Sequence, residues 1–273
     1  MRRTLSAIAA LLAMNTSYAL ADVDEGLAAL QKQDFVAAAT AFKEASDAGN
    51  PDGLYYIGRM QELGLGTAQN VVNAAKIYAG AAEAGSTNAQ NRLGLMHLNG
   101  EGVLQDYARA QELICGAAEA GLATAQFNCG VMLVDGRGGA KDQGAATGWY
   151  ALAAEQGHIG AMNLYALALM NGLGTEIDLE GARTWFTKTA ARGNALGLYS
   201  MGQIYEEGIG IAADRLQAHL HYNLAAASGH PQAAEARARV EKDLTSDQVL
   251  EAQALARDWS PATDEESDEA PAQ

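Results

Sequence analysis

Five short segments recur along the chain at intervals of 36 residues, each starting with glycine and ending with Asp or Asn. They are GLGTAQN (64–70), GEGVLQD (100–106), GRGGAKD (136–142), GLGTEID (172–178) and GIGIAAD (208–214). A fixed period of 20–50 residues is typical of stacked structural repeats. Because no insertion interrupts the period, each unit has the same residue types at the same positions. The period therefore constrains the fold more than the composition does.

Each unit is predicted to contain two antiparallel helices, as residues 88–99 and 107–120 illustrate. Apolar and small residues recur there at helical spacing. Gly100 and Gly121 are placed to end these helices, since only glycine adopts a positive φ without penalty. Asp106 is placed to cap the second helix by accepting backbone N–H bonds. The glycines and the carboxylate thus predict a helix stop, a turn and a helix start.

One glycine column falls inside the first helix of each pair, at Gly58, Gly94, Gly130 and Gly202, with Ala166 in the fourth unit. A glycine within a helix costs about 1 kcal/mol relative to alanine. Its recurrence predicts that a neighbouring helix approaches too closely for a larger side chain.

The segment AQNRLGLMHLNGEGVLQDYARAQELICGAAEAG at 89–121 resembles the Sel1-like repeat family, a relative of the tetratricopeptide repeat. The resemblance covers five units, residues 50–229. It departs from the family pattern at His97, where tyrosine is usual, and at Leu113 and Ile114, where Trp-Tyr is usual. The resemblance implies an all-α fold, a right-handed α-solenoid of antiparallel helix pairs.

The ends of the chain differ from the repeats. Residues 22–49 are interpreted as an N-terminal capping helix pair and 230–259 as C-terminal capping helices, because terminal repeats need a polar outer face. Residues 260–273 carry five carboxylates and no aliphatic side chain larger than alanine. This composition predicts a disordered acidic tail.

Residues 1–21 have the three elements of a secretory signal peptide: Arg2 and Arg3, the apolar run from Leu5 to Met14, and the cleavage motif ending at Ala21. An N-terminal helix of the folded protein is the alternative. The signal predicts an exported protein, periplasmic or secreted, that is not inserted in a membrane. Removing Arg2 and Arg3 would change the net charge from −15 to −17. Such an acidic chain is poorly suited to nucleic acid or anionic membranes.

The two cysteines are placed on neighbouring helices. Cys115 and Cys129 each lie seven residues from Leu122, at the turn between the helices. Both are therefore about 10 Å along an antiparallel hairpin, at similar height. Export favours a disulfide between them. Two separate buried thiols are the alternative.

No catalytic constellation is found, and no cofactor or metal is expected. Ser-x-x-Lys and Gly-x-Ser-x-Gly are absent, and the Gly-x-Gly elements follow helices rather than strands. His219 and His221 are two apart, so on a helix they diverge. His97, His158 and His230 occupy regular repeat positions. Each histidine is better explained by packing than by ligation.

One stripe of residues on the first helix of each pair is predicted to face outwards. Counted from the internal glycine or alanine of that helix, the stripe consists of the residues at −3, +1 and +4. It is polar in the outer units, including Arg59, Glu62, Gln203 and Glu206, and mostly apolar in the middle three, where Asn91 and Asn163 are the exceptions. We expect a concave groove for an extended or helical peptide; burial between units is the alternative. The nine groove residues are Tyr55, Leu95, Leu98, Phe127, Val131, Val134, Leu167, Met170 and Tyr199.

Two functions are therefore considered. The first is a non-enzymatic scaffold, adaptor or regulator of the bacterial cell envelope that binds a protein or peptide and is itself monomeric. Members of the resembled family generally serve as scaffolds. The second is a hydrolase of cell-wall or β-lactam type, because a cysteine-rich branch of the family is linked to penicillin binding. The missing nucleophile signature counts against the hydrolase.

Overall fold

The computed structural model describes residues 23–262 and contains helices but no strands within them. The predicted signal peptide and residues 263–273 of the predicted acidic tail lie outside this range. The described part divides into two compact units, unit 1 (23–141) and unit 2 (142–262). No helix of the described part is long and apolar enough to span a bilayer.

Unit 1 contains seven helices in its described part. They are α1 (23–31), α2 (Phe35–Asp47), α3 (Pro51–Leu63), α4 (Val71–Glu83), α5 (Thr87–Asn99), α6 (Tyr107–Glu119) and α7 (Ala123–Asp135).

Unit 2 also contains seven helices in its described part. They are α8 (Gln143–Glu155), α9 (Ile159–Asn171), α10 (Leu179–Ala191), α11 (Ala195–Glu207), α12 (Arg215–Ala227), α13 (Ala233–Glu241) and α14 (Ser246–Asp258).

The 36-residue period is confirmed as one helix pair. Two 13-residue helices, the seven-residue loop between them and a three-residue turn make up each period, as in α3, α4 and the start of α5 at Thr87. Consecutive helices pack against each other from α2 to α7 in unit 1 and from α8 to α13 in unit 2. The chain is therefore an all-α repeat protein of the solenoid class.

The loop chemistry predicted from the sequence is confirmed. The first glycine of each loop is left-handed, with φ between 67° and 74°, and its N–H closes the preceding helix. The Asp or Asn that ends the loop accepts a hydrogen bond from the backbone N–H three residues later, as Asp106 does from Arg109 at 3.0 Å. The other capping residues are Asn70, Asp142, Asp178 and Asp214.

The second loop glycine has a role that the sequence did not reveal. Gly102 lies against the backbone at Val71, the first residue of α4, and a Cβ there would be 2.8 Å from the Val71 carbonyl oxygen. Gly174 approaches Gln143, the first residue of α8, still more closely, at 2.3 Å. Each loop thus rests on the previous pair's second helix, and this contact sets the register between pairs.

Three glycines of the predicted column, Gly58, Gly94 and Gly202, are confirmed as sites of close helix approach. A Cβ at Gly94 would lie 2.6 Å from the Ile114 side chain, and one at Gly202 would lie 2.6 Å from the Tyr222 ring. Alanine is accommodated in this column at Ala166, which is fully buried beside Phe186. Small residues on one helix therefore accept large residues from the next.

The end of unit 2 departs from the repeat. Helix α13 has nine residues, and α14 packs on α12. Residues 259–262, the C-terminal strap, then reach α10, where the Ala262 N–H donates to the Ala191 carbonyl at 2.8 Å. Trp259 packs against the core of unit 2, and residues 260–262 at the start of the predicted acidic tail follow it to the end of α10.

Candidate functional site

All nine groove residues lie on first helices and are partly buried. Six belong to unit 1: Tyr55 on α3, Leu95 and Leu98 on α5, and Phe127, Val131 and Val134 on α7. Three belong to unit 2: Leu167 and Met170 on α9, and Tyr199 on α11.

In unit 1, the apolar groove residues of α5 and α7 alternate with fully buried neighbours. Met96 follows Leu95, and Met132 follows Val131, and both methionines are inaccessible to solvent. The two helices are also joined by their amides, since the Asn128 Nδ2 donates to the Asn91 Oδ1 at 3.1 Å. The buried methionines therefore pack the two helices into the core, whereas the neighbouring groove residues keep apolar surface accessible to solvent.

In unit 2, the groove residues are more closely tied to the core. Leu167, Met170 and Tyr199 all pack against the same buried cluster. The Tyr199 ring stacks on His230, with centroids 4.0 Å apart and planes 12° apart. These contacts restrict the orientation of Tyr199.

Two polar residues of the predicted stripe do not face solvent. Asn163 is 4% exposed, donates to Asn194 and accepts a hydrogen bond from the Thr189 hydroxyl. Glu62 is 7% exposed. The expectation that both point outwards is wrong, because each finds polar partners supplied by other helices.

Glu62 is the centre of a buried ionic cluster. One carboxylate oxygen accepts hydrogen bonds from the Tyr78 hydroxyl at 2.5 Å, Arg59 at 3.0 Å and the Arg92 Nε at 3.1 Å. The other oxygen contacts the Arg92 terminal nitrogen. Burial alone would raise the Glu62 pKa, but the Arg92 and Tyr78 hydrogen bonds outweigh it and hold that pKa below its usual value.

Unit 2 repeats this arrangement around Glu206. Its carboxylate accepts the Tyr222 hydroxyl at 2.6 Å and two Arg239 nitrogens at 2.8 Å each. The Arg239 hydrogen bonds lower the Glu206 pKa. A glutamate followed by tyrosine 16 residues later is the sequence signal for both clusters. At the equivalent positions the three middle repeats instead have Leu98, Val134 and Met170.

Each of the five histidines has a structural contact. His97 and His221 donate to the carbonyls of Leu104 and Gln217, and His219 is buried with its Nε2 3.3 Å from Glu241. His158 caps α9, and His230 stacks on Tyr199 as described above. Within residues 23–262, no three His, Cys, Asp or Glu side chains form a group suited to a metal ion.

The two cysteines form a disulfide in unit 1. Cys115 on α6 and Cys129 on α7 have Cα atoms 5.1 Å apart, and the bond closes a separation of 14 residues. It joins the second helix of one pair to the first helix of the next.

Stacked helix pairs with glycine-rich loops define an α-solenoid repeat protein. The Sel1 repeat model matches residues 51–86, 87–122, 123–158, 159–194 and 195–230, so the chain belongs to the Sel1 repeat family. Sel1 repeats generally act as protein–protein interaction scaffolds.

The chain also resembles solved structures. A Sel1 repeat protein from Oxalobacter formigenes is 26% identical with a TM-score of 0.73, covering 86% of this chain and 98% of that one. A protective antigen from uropathogenic Escherichia coli strains that displays an SLR fold is 24% identical with a TM-score of 0.47, covering 86% and 67%. No curated protein gives a significant match.

Proposed function

We propose that the protein is a non-enzymatic scaffold or adaptor of the bacterial cell envelope that holds a protein segment on its groove residues. The main support is that one repeat position is charged in the outer repeats and apolar in the middle repeats. In the outer repeats this position carries Glu62 and Glu206, both held in ionic clusters. In the middle repeats it carries the partly exposed Leu98, Val134 and Met170. Accessible apolar side chains bordered by polar ones are typical of binding surfaces.

The proposed location in the periplasm is supported by two features. The N-terminal sequence has the elements of a signal peptide. The disulfide is compatible with an oxidising compartment. Fractionation of cells and mass measurement of the mature N-terminus test this part of the proposal, with Asp22 expected as the first residue.

The binding surface is tested by crosslinking in cells. A photoreactive residue replaces Phe127, and its crosslinked partner is identified by mass spectrometry. Introducing Leu98→Glu or Val134→Glu is expected to reduce the crosslink at least about tenfold, because a carboxylate on an apolar contact surface must be desolvated. Val72→Glu, at an exposed position on α4, is the matched control and is expected to leave the crosslink unchanged.

Stability measurements distinguish a binding surface from a buried core. If both glutamate variants unfold at much lower urea concentration than the Val72→Glu control, the side chains serve packing and the groove proposal is wrong. Turnover of nitrocefin by the purified protein would contradict the non-enzymatic role and support the hydrolase alternative.

A further inference from the structure

The C-terminal strap of unit 2 shows what can occupy the valley between two second helices. Trp259 packs against the core cluster that includes Ala190, Met201 and Leu224. A Cβ built at Gly193 would be 3.3 Å from Pro261 and 3.5 Å from Trp259. The strap therefore places an aromatic residue and a proline at the C-terminal end of α10, against a core cluster to which α12 contributes Leu224.

The valley between α4 and α6 in unit 1 is built from equivalent positions and is open. It forms a cavity of about 280 Å³. Gly85 is the equivalent of Gly193, three 36-residue periods earlier, and a Cβ there would meet no atom within 4 Å. The lining residues Ala82, Glu83, Leu93 and Gly116 are likewise the equivalents of Ala190, Ala191, Met201 and Leu224.

The size and shape of this valley suit one anchoring side chain. Pockets for drug-sized ligands usually have 300–1,000 Å³, so about 280 Å³ is small for such a ligand. At Gly116 a Cβ would also meet no atom within 4 Å, which leaves room where unit 2 has the side chain of Leu224. A tryptophan, as in the strap, would be accommodated.

The carboxylate of Glu83 at the valley favours an occupant with a basic side chain. Glu83 stands where unit 2 has Ala191, the residue that receives the Ala262 N–H. A residue following the proline would therefore lie beside a carboxylate, whereas Glu112 is already paired with Arg109 at 2.7 Å. The strap of a second copy has the uncharged Ala262 after its proline, and the sequence that follows, TDEESDE, contains no basic residue. An occupant without a basic residue at this point leaves Glu83 unpaired, and an acidic one is repelled by it.

We propose that the α4–α6 valley binds an extended segment of a partner protein that carries tryptophan, proline two residues later and a basic residue next. This surface is separate from the groove residues, so the inference does not rest on the proposed function. The tryptophan fills the valley as Trp259 does in unit 2, and the basic side chain pairs with Glu83.

A labelled peptide tests the proposal directly. The probe is fluorescein-LARDWSPK, which is the sequence of residues 255–262 with lysine at the position of Ala262. It is titrated into the full mature protein and followed by fluorescence anisotropy. Saturable binding is expected. Replacing the probe's tryptophan by alanine, or its lysine by glutamate, is expected to weaken binding at least about tenfold. Absence of saturable binding up to about 1 mM protein would overturn the proposal.

Two substitutions at one position locate the site. Gly116→Glu places a carboxylate in the valley and is expected to weaken probe binding at least about tenfold, while Gly116→Leu restores the residue type of unit 2 and preserves binding. Neither change needs space that is already filled, and both residues favour a helix over glycine. Gly148→Glu on α8, where a Cβ also meets nothing within 4 Å, is the control.

Two further results would each contradict the proposal. If Gly116→Glu binds the probe as tightly as the unchanged protein, the probe occupies another site and the proposal fails. If the protein alone forms a dimer in sedimentation experiments and Gly116→Glu makes it monomeric, the occupant is a second copy and the partner proposal is wrong.

Discussion

At the scale of single residues, the helical glycines differ in what surrounds them. Gly94 on α5 faces Ile114, and a Cβ would also approach the Ala110 carbonyl oxygen at 3.2 Å. Gly80 on α4 is exposed, and a Cβ there would meet nothing within 4 Å. One residue type therefore serves close packing at one site and has no packing role at the other.

Replacing each glycine with alanine is predicted to change stability in opposite directions. Gly80→Ala is expected to stabilise the protein by about 0.5–1 kcal/mol through helix propensity. Gly94→Ala is expected to destabilise it by about 1–3 kcal/mol, because overpacking forces α5 and α6 apart. Urea denaturation measures both. An increase in stability for Gly94→Ala would show that α6 can move without cost.

The buried cluster at Glu62 predicts a defined pH dependence. Because the folded-state pKa of Glu62 is lowered, its contribution to stability is present above the unfolded-state pKa and is lost as pH falls through the folded-state pKa. Glu62→Gln is expected to cost about 1–3 kcal/mol at pH 7, since the partly buried Arg92 then keeps only Glu101 as a counter-charge. The cost is expected to shrink below about pH 4. Urea titrations at several pH values measure it.

Asp106→Asn provides the comparison for that measurement, because this exposed capping residue can keep its hydrogen bond as an amide. Its cost at pH 7 is expected to be a few tenths of a kcal/mol. Equal pH dependence for Glu62→Gln and the unchanged protein would contradict the assigned role of the carboxylate.

At the scale of helices and loops, the features governed by neighbouring residues could be predicted from the sequence. The left-handed Gly100 and the capping Asp106 act within a few residues of their own positions, so the repeat pattern sufficed. The burial of Asn163 and Glu62 could not be predicted in this way, because their partners Thr189 and Arg92 lie 26 and 30 residues away. The strap depends on contacts that are more distant still.

The disulfide is predicted to be the strongest single link between neighbouring pairs in unit 1. It closes a loop of about 15 residues, for which the chain-entropy model gives about 3 kcal/mol. Replacing Cys115 and Cys129 together by alanine is expected to lower the free energy of unfolding by about that amount. Mass spectrometry of the denatured, unreduced protein checks the bond itself. Two free thiols would show that the link is absent in solution.

At the scale of the whole molecule, the two compact units differ in their spectroscopic probes. Trp149, Trp185 and Trp259 are the three tryptophans of the chain, and all lie in unit 2. Tryptophan fluorescence therefore follows unit 2, whereas far-UV circular dichroism follows the helices of both units. In repeat proteins, stability is the sum of terms for single repeats and their nearest neighbours.

Because all three tryptophans lie in unit 2, a variant destabilised in unit 1 is predicted to change the circular dichroism transition without changing the fluorescence transition. In the Cys115→Ala, Cys129→Ala protein, circular dichroism is expected to show an earlier transition in urea than in the unchanged protein, while the fluorescence midpoint moves little. Gly202→Val, which crowds Tyr222 in unit 2, is expected to move the fluorescence midpoint instead. Coincident transitions in both variants would mean that the chain unfolds as one cooperative block, and that nearest-neighbour additivity does not describe it.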